Sequence, residues 1–378
     1  MTTDNVERLR HQLLGERQPL PRAVQFHIAG VTLELRSNNE NLLAKIAHYM
    51  AHLTAPSTAA SPASDANDQL VNITITAIEA PAPELDLAFK DWKREPGKQS
   101  RKDSYLALTP NTRLLRKVRT GMVFLQSPTE ALVVGPCLKN DNQVINFINN
   151  QYMNYLQQQG WLICHAAGVV LDAHQNQAIA LAGLSGGGKS TLMLTLMEGE
   201  RTRFVSNDRL FIKVEGNGAQ AAGVPKLPRV NPGTLLNNLR LVSLLPTARQ
   251  QALTNLPKQA LWELEEKYDV PITACYGEGR IQHNAPLKAL FILNWHHAAD
   301  AETTITQVDL NQRRELLPAV MKSPGPFYQD SEGHFLDGDI RPKPEKYLAA
   351  LKGVACYEIT GRADFAKAAD AITSLVGA

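Results

Sequence analysis

Apolar residues alternate with polar ones, or recur at helical spacing, over the first 159 residues. Val24 to Arg36 alternates around Gly30, which predicts a hairpin, and Asn39 to Leu53 has the spacing of a helix. A second helix with one buried face is predicted from Asn142 to Gln159, and Gly160 ends it. Four strand-like runs lie between these helices: Leu70 to Ile78, Tyr105 to Leu108, Gly121 to Gln126 and Ala131 to Val134.

One stretch of this region has almost nothing to bury. Ala55 to Asp68 consists mostly of Ala, Ser, Pro, Thr, Asp and Asn, which predicts a flexible linker or loop over 55–68. We therefore predict that 1–54 and 69–159 together form a smaller α+β domain. The remainder, 160–378, is predicted to be a second domain.

The second domain begins with two apolar runs that predict another hairpin. Cys164 to Leu171 and Gln177 to Ala182 are strand-like, and Asp172 to Asn176 has the composition of a turn. If that turn centres on His174, residue 165 faces residue 183. His165 is then expected at the mouth of the loop that follows, although an isolated histidine in a strand can equally be structural.

That loop, Gly183-Leu-Ser-Gly-Gly-Gly-Lys-Ser190, fits the pattern GxxxxGK[ST]. Its glycines allow a tight turn whose N–H groups face phosphate oxygens, Lys189 supplies a positive charge, and the Ser190 hydroxyl can bind magnesium. Because Thr191 to Glu198 is helix-like, the phosphates would sit at a helix N-terminus. The predicted nucleotide-binding residues are Gly183, Leu184, Ser185, Gly186, Gly187, Gly188, Lys189, Ser190 and Thr191.

A carboxylate is expected at the same edge of the sheet. Thr202 to Ser206 reads as a strand that ends at Asn207 and Asp208. A strand, helix and strand form a right-handed parallel unit, so Asp208 should lie beside the phosphates. There it can hold magnesium or accept a proton. The alternative is that Asn207 and Asp208 form only a turn between two strands.

Composition and charge add few constraints. The 378 residues are 44% apolar and 20% charged, with a net charge of +2, as in ordinary globular proteins. The first residues lack the pattern of a signal peptide and no apolar run is long enough for a membrane span, so we expect a cytoplasmic protein. The four cysteines form no CxxC pair, so neither zinc nor disulfides are indicated.

Lys90 to Arg119 holds ten basic and three acidic residues, which indicates either a solvated surface or a docking site for an acidic partner.

Three motifs in this order and spacing resemble the catalytic domain of HPr kinase/phosphorylase: His165-Ala-Ala-Gly-Val, the glycine-rich loop, and Phe204-Val-Ser-Asn-Asp208. In length and in its N-terminal region the chain is most similar to the branch called HPr kinase-related kinase B. The resemblance covers roughly 160–360. It implies an α/β fold with mixed β-sheets akin to that of phosphoenolpyruvate carboxykinase, and transfer of the ATP γ-phosphate to a hydroxyl.

The resemblance also implies roles for particular residues. The family's histidine corresponds to His165 and its paired acids to Asn207 and Asp208. Because the first acid is an amide here, Asp208 must act alone, and Thr191 stands where HPr kinase has Glu. Tyr276 to Ile281 is the nearest counterpart of the family's protein-recognition segment, and Arg280 is a candidate to neutralise the transferred phosphate. HPr itself is not the expected acceptor.

Taken together, the sequence predicts a kinase that uses ATP and Mg²⁺ to phosphorylate a hydroxyl on a partner protein. Lys189, His165, Asn207 and Asp208 are the predicted catalytic residues, and Ser190 and Asp208 the predicted metal ligands. The resemblance implies an ATP-grasp or amphi-Trp protein of the same bacterial gene group as the acceptor. No nucleic acid or membrane partner is expected, and self-association stays open.

The alternatives to this function are an ATPase or nucleotide sensor without an acceptor, and a kinase of small molecules. The loop from Lys322 to Tyr328 is either a lid or an ordinary connection.

Overall fold

The chain divides into two compact units. The computed structural model describes residues 3–53, 71–93, 101–172, 174–264, 266–296, 299–335 and 342–377. Unit 1 comprises Met1–Gly160 with Ser323–Arg341, and unit 2 comprises Trp161–Lys322 with Pro342–Ala378. The sequence-based division assigned all of 160–378 to the second domain, whereas 323–341 belongs with unit 1. The predicted linker at 55–68 lies outside the described residues.

The described part of unit 1 contains three helices and one mixed sheet. The helices are α1 (Thr3–Leu14), α2 (Glu40–Tyr49) and α3 (Asp141–Gln158), and a short 3₁₀ segment spans Ala51–Leu53. The strands are β1 (Ala23–Ile28), β2 (Val31–Ser37), β3 (Val71–Glu79), β4 (Lys90–Asp91), β5 (Asp103–Thr109), β6 (Thr112–Lys117), β7 (Val123–Gln126) and β8 (Ala131–Gly135). Their order is β1-β2-β3-β8-β7-β6-β5-β4, and β2, β3 and β8 are parallel.

The predicted hairpin and helices of unit 1 are present, with differences in the basic region. Ala29 and Gly30 have positive φ in the turn between β1 and β2, as a tight hairpin requires. The sequence pattern missed α1, β4 and β6. In β6, Arg113 is only 2% exposed, and its guanidinium lies over the rings of Tyr105 and Phe335 at 4.6 and 4.5 Å. The positive charge of this region is therefore partly internal.

A buried polar network explains why the segment after Lys322 belongs to unit 1. Gln329 Oε1 accepts from Gln126 Nε2 at 2.9 Å and from Asn154 Nδ2 at 3.1 Å, and its backbone N–H donates to Asn154 Oδ1 at 2.9 Å. Gln126 Nε2 also donates to the carbonyl of Phe327 at 3.0 Å. The Phe327 ring packs against those of Phe124 and Phe147. These contacts involve β7 and α3, so the segment completes one face of the sheet.

Unit 2 is built on a larger mixed sheet. Its strands are β9 (Leu162–Cys164), β10 (Ala166–Val170), β11 (Ala178–Gly183), β12 (Arg203–Ser206), β13 (Leu210–Glu215), β14 (Gly218–Ala222), β17 (Asn284–Leu293), β18 (Thr304–Gln307) and β19 (Ala355–Thr360), with β15 (Arg229–Val230) and β16 (Tyr268–Asp269) paired separately. The main path is β12-β10-β11-β17-β14-β13-β9, and β19 joins β17 and β18. Strands β11, β17 and β19 are parallel.

Helices cover the large sheet. They are α4 (Lys189–Leu196), α5 (Pro232–Leu236), α6 (Thr247–Thr254), α7 (Lys258–Glu263), α8 (Ile272–Tyr276), α9 (Pro344–Ala350) and α10 (Phe365–Gly377), with 3₁₀ segments at Val242–Leu244 and Arg314–Ala319. Alternate residues of the central strands enter two different cores: Ile179 and Leu181 pack with α4 and α10, whereas Ala178 and Ala180 pack with α9. Both faces of the sheet are therefore buried, as is usual for parallel strands.

The protein is thus α/β with mixed sheets. Over the ranges that the structure describes, every helix is too short or too polar to reach across a lipid bilayer.

The buried network of unit 1 gives the first prediction. Gln329→Ala removes the oxygen that accepts one N–H of Gln126 and one of Asn154, and water can replace it only by entering the core. The free energy of unfolding should therefore fall by about 2–3 kcal/mol. Urea unfolding of the full chain measures this change. Gln18→Ala, at an exposed position of the same unit, should alter it by less than about 0.5 kcal/mol. Equal effects of the two substitutions would contradict the role given to the network.

Candidate active site

The glycine-rich loop lies between a buried strand and a helix. β11 ends at Gly183 and α4 begins at Lys189, so Gly183 to Ser190, called here the glycine loop, spans the carboxyl edge of the sheet. Gly186 and Gly188 have φ values of +82° and +86°, which side chains rarely adopt. The first free N–H groups of α4 point out of the same loop, because a helix leaves its N-terminal donors without intrahelical partners. The loop therefore offers backbone donors to an anion.

Aromatic residues from the end of the sheet hold the glycine loop in place. Trp295 Nε1 donates to the carbonyl of Gly187 at 2.9 Å. A Cβ on Gly188 would lie 2.6 Å from the ring of Phe365, which in turn packs edge-on against Trp295. Glycine at position 188 thus serves both the backbone conformation and the close approach of a ring. The sequence pattern did not single out Trp295 or Phe365, since nothing in their spacing relates them to the loop.

Lys189 turns back over the glycine loop. Its Nζ donates to the carbonyls of Gly183 at 2.7 Å and Leu184 at 3.2 Å, and the residue is 7% exposed. Burial lowers the pKa of Lys189 to about 8; the charge of Asp208 opposes this shift and that of Lys322 adds to it. A buried ammonium with a lowered pKa is poorly compensated by its surroundings, and a bound anion would stabilise it.

The register of the first hairpin places His165 beside the glycine loop. Ala166 pairs with Ala182 and Val170 with Ala178, so one further step along the ladder sets residue 165 against residue 183. This is the register predicted from a turn centred on His174. The His165 backbone N–H donates to the carbonyl of Val320 at 2.8 Å, which fixes the position of its backbone.

Asp208 reaches His165 from the neighbouring strand. β12 runs antiparallel to β10, which runs antiparallel to β11, so β11 and β12 end at the same edge. Asp208 Oδ1 lies 3.3 Å from His165 Nε2. Asn207 and Asp208 do form the turn between β12 and β13, and the structure thus combines the two interpretations of this dipeptide.

A lysine that sequence reasoning did not assign to the site completes the cluster. Lys322 Nζ lies 3.1 Å from Asp208 Oδ2, and its side chain is only 15% exposed. Both carboxylate oxygens of Asp208 therefore contact a nitrogen-bearing side chain. The only sequence signal was that Lys322 begins a stretch of turn residues, which gave no reason to pair it with a residue more than a hundred positions earlier.

These contacts set the charge states of the pair. Burial would raise the pKa of Asp208, but the hydrogen bond from His165 and the charge of Lys322 outweigh it and hold that pKa well below its usual range. Burial lowers the pKa of His165, and the charges of Lys189 and Lys322 lower it further, against the effect of Asp208. At neutral pH the site thus holds an ionised carboxylate next to a neutral imidazole.

Three further predicted residues border this cluster. The Thr191 hydroxyl lies 2.8 Å from that of Thr234, which ties the start of α4 to α5. Ser190 is half-buried at the first turn of α4. The side-chain oxygen of Asn207 is buried and has no hydrogen-bond partner among the described residues. A buried amide oxygen without a donor fits a site that receives an O–H group or a cation from a ligand.

Arg280 does not have the role expected for it. Its guanidinium donates to the backbone carbonyls of Thr202 at 2.6 Å and of Met197 and Gly199 at 2.7 Å each. These carbonyls follow α4 and precede β12, so the arginine caps the connection between them. The expectation that Arg280 neutralises a phosphate is therefore wrong: its donors are used on the main chain.

The groups at this edge of the sheet fit the phosphates of ATP more fully than they fit a magnesium ion. The glycine loop, with its positive-φ glycines and the adjacent helix N-terminus, has the form of a phosphate cradle. In the described ranges no three His, Cys, Asp or Glu side chains cluster as a metal site. The Ser190 hydroxyl and the Asp208 carboxylate are two candidate oxygen ligands, and a magnesium ion bound mainly by phosphates needs only one or two protein ligands.

Comparisons with known proteins find similarity among solved structures only. No protein-family model and no curated protein matches the chain. Among solved structures, one that the chain is similar to is the HPr(Ser) kinase/phosphatase from Coxiella burnetii. The match has 11% sequence identity, covers 57% of this chain and 93% of that one, and has a TM-score of 0.27. A likeness this distant carries no conclusion about activity or site residues.

The close approach of Phe365 gives the second prediction. Gly186→Ala and Gly188→Ala both place a side chain at positive φ, but a Cβ at 186 meets open space. Gly186→Ala should therefore destabilise the protein by about 1 kcal/mol, and Gly188→Ala by about 1–3 kcal/mol more because the ring must shift. Urea unfolding of the full chain measures both. Adding Phe365→Leu should recover part of the loss at 188 and none at 186, and any other pattern would argue against the ring contact.

Proposed function

We propose that unit 2 is a magnesium-dependent ATP phosphotransferase that moves the γ-phosphate to a hydroxyl of a partner protein. The observation that carries the proposal is the position of the His165–Asp208 pair at the same sheet edge as the glycine loop and Lys189. One part of this arrangement suits a triphosphate and the other suits the proton of an attacking hydroxyl. Phosphoryl transfer needs little else from a protein beyond positioning and charge.

Binding of the nucleotide is assigned to the glycine loop. Its backbone N–H groups and the first turn of α4 would face the β- and γ-phosphates, and Lys189 would move its ammonium from the loop carbonyls to a phosphate oxygen. The Ser190 hydroxyl, with Asp208 directly or through water, would hold Mg²⁺. The ion would supply charge neutralisation at the phosphates.

The reaction follows from the charge states. The acceptor hydroxyl oxygen attacks the γ-phosphorus as the bond to the β–γ bridging oxygen breaks, and ADP leaves with that oxygen. The hydroxyl proton passes to the His165–Asp208 pair, in which the carboxylate is ionised and the imidazole neutral, so both can accept a proton. The unpartnered oxygen of Asn207 is available to orient the hydroxyl.

The resemblance of three motifs to the HPr kinase-related proteins supports this choice of class, including a fold akin to phosphoenolpyruvate carboxykinase. It also points to the acceptor: an ATP-grasp or amphi-Trp protein of the same gene group. In this proposal unit 2 carries the chemistry. Unit 1 has no assigned step.

One observation favours a second candidate, a nucleotide-sensing module or simple ATPase. Asp208 Oδ1 contacts His165 and Oδ2 contacts Lys322, so ion-pair partners already satisfy part of the carboxylate before any metal or proton is bound. A sensor would need only the glycine loop. Asp208 therefore distinguishes the two candidates.

The third prediction tests the activity itself. The native protein, incubated with γ-labelled ATP, Mg²⁺ and each candidate acceptor, should label one of them. Lys189→Ala should reduce labelling by at least about 100-fold, because it removes the charge at the phosphates. Asp208→Asn should weaken binding of Mg-ATP, measured by calorimetry, far less than it reduces labelling, which should fall by about 100-fold or more.

The control is Lys213→Ala, at an exposed position of β13, which should label as the native protein does. Equal labelling by the native protein and Lys189→Ala would sink the proposal. ATP hydrolysis without labelling of any acceptor would favour the ATPase, and binding without turnover, unchanged in Asp208→Asn, would favour the sensor.

A further inference from the structure

The position of Lys322 is fixed by the main chain around it. The segment before it runs along β9: Met321 forms a bridge with Cys164, and the Val320 carbonyl accepts from the His165 N–H. The Tyr347 hydroxyl donates to the Ile163 carbonyl at 2.6 Å, and the Lys322 N–H reaches the same hydroxyl at 3.4 Å. Lys322 is therefore held next to β9, the strand that immediately precedes His165.

The side chain of Lys322 is also constrained. It is mostly buried, and its ammonium lies 3.1 Å from Asp208 Oδ2. An ammonium has three N–H donors, and one carboxylate oxygen uses only one of them. The contact with Asp208 Oδ2 therefore leaves donors of the ammonium for a further acceptor, and the Asp208 carboxylate beside it is half exposed.

The charges of this edge do not balance. Lys189, on the carbonyls of the glycine loop, and Lys322, on Asp208, are both mostly buried, and the loop and Asp208 lie at the same edge of the sheet. Bringing two ammonium groups together away from water is unfavourable unless an anion joins them. The glycine loop, whose N–H groups also attract anions, increases the imbalance.

A surface ion pair with Asp208 is the simpler explanation of Lys322, but it does not explain why the lysine side chain is buried. Exposed pairs contribute little to stability and need no burial of the lysine stem. Here the lysine is the more buried partner, at 15% exposed against 50% for Asp208. A pair formed only to neutralise Asp208 would not need to bury its cation at the sheet edge that also holds Lys189.

We propose that Lys322 is a second phosphoryl-binding lysine, which contacts the phosphoryl group from the Asp208 side while Lys189 holds it from the glycine loop. The inference rests on the proposed function. In the transfer, Lys322 keeps one N–H on Asp208 and directs another to an equatorial oxygen of the phosphoryl group, where negative charge is spread in the transition state. It gives up no proton, and the bonds that form and break are those between the phosphorus and the two bridging oxygens.

The test compares ligands that differ only in the transferred group. The probes are Mg-ADP alone and Mg-ADP with aluminium fluoride, which imitates the phosphoryl group in transfer, and calorimetry on the full chain measures both affinities. Lys322→Met should bind Mg-ADP within about 2-fold of the native protein but lose about 100-fold in affinity for the aluminium fluoride complex. Lys322→Arg, which keeps the charge, should retain part of that affinity. Lys352→Met, at an exposed position of unit 2, should behave as the native protein.

The possible results separate failure of the inference about Lys322 from failure of the proposed function. Unchanged aluminium fluoride affinity in Lys322→Met would overturn the inference and leave Lys322 as the ion-pair partner of Asp208. Equal losses for both ligands would also overturn it, because the lysine would then support the site as a whole. If native protein binds Mg-ADP but gains nothing from aluminium fluoride, there is no phosphoryl position for Lys322 to contact. Failure of native protein to bind Mg-ADP would instead overturn the proposed function.

Discussion

The register between β10 and β11 is the constraint on which the candidate site depends. Each strand pairs without a slip, so His165 falls opposite the first residue of the glycine loop. A shift by one residue would reverse every side chain and move Ala167 and Leu181 out of their core. The apolar faces of the hairpin therefore fix the chemistry at its end. β12 then pairs with β10 and brings Asp208 to the same edge, so packing and site geometry share one cause.

This dependence explains what could be predicted. The hairpin register follows from local composition, and the parallel direction of β11 and β12 follows from the handedness of strand, helix and strand units. These two local rules are enough to predict that His165 and Asp208 lie at the same edge of the sheet, where their side chains are 3.3 Å apart. No longer-range contact has to be known. In unit 1, apolar periodicity likewise predicted the first hairpin and α2 and α3. Local pattern suffices where neighbours in space are neighbours in sequence.

The features that the sequence did not predict depend on contacts between residues that are far apart along the chain. Lys322 joins Asp208 through a segment that arrives late in the chain, and periodicity carries no signal for such a contact. β6 was missed because three of its six residues are basic, yet Arg113 is buried under aromatic rings that come from distant segments. Arg280 was misjudged for the same reason: a charged residue in a turn suggests a ligand, but its partners are carbonyls near the end of α4. In each case a charged side chain is used internally.

The balance of charge at the site accounts for the departure at Asn207. Under the proposed function, the glycine loop, Lys189 and Lys322 all attract phosphate, and a second carboxylate beside Asp208 would repel it. An amide removes that repulsion and keeps an oxygen of similar size, which is buried and without a donor among the described residues. With an amide at position 207, the site has one fewer anionic group that could bind a metal. Under the same proposal, a site with an amide at position 207 and with two lysines would depend less on magnesium for neutralising the phosphates and more on its own cations.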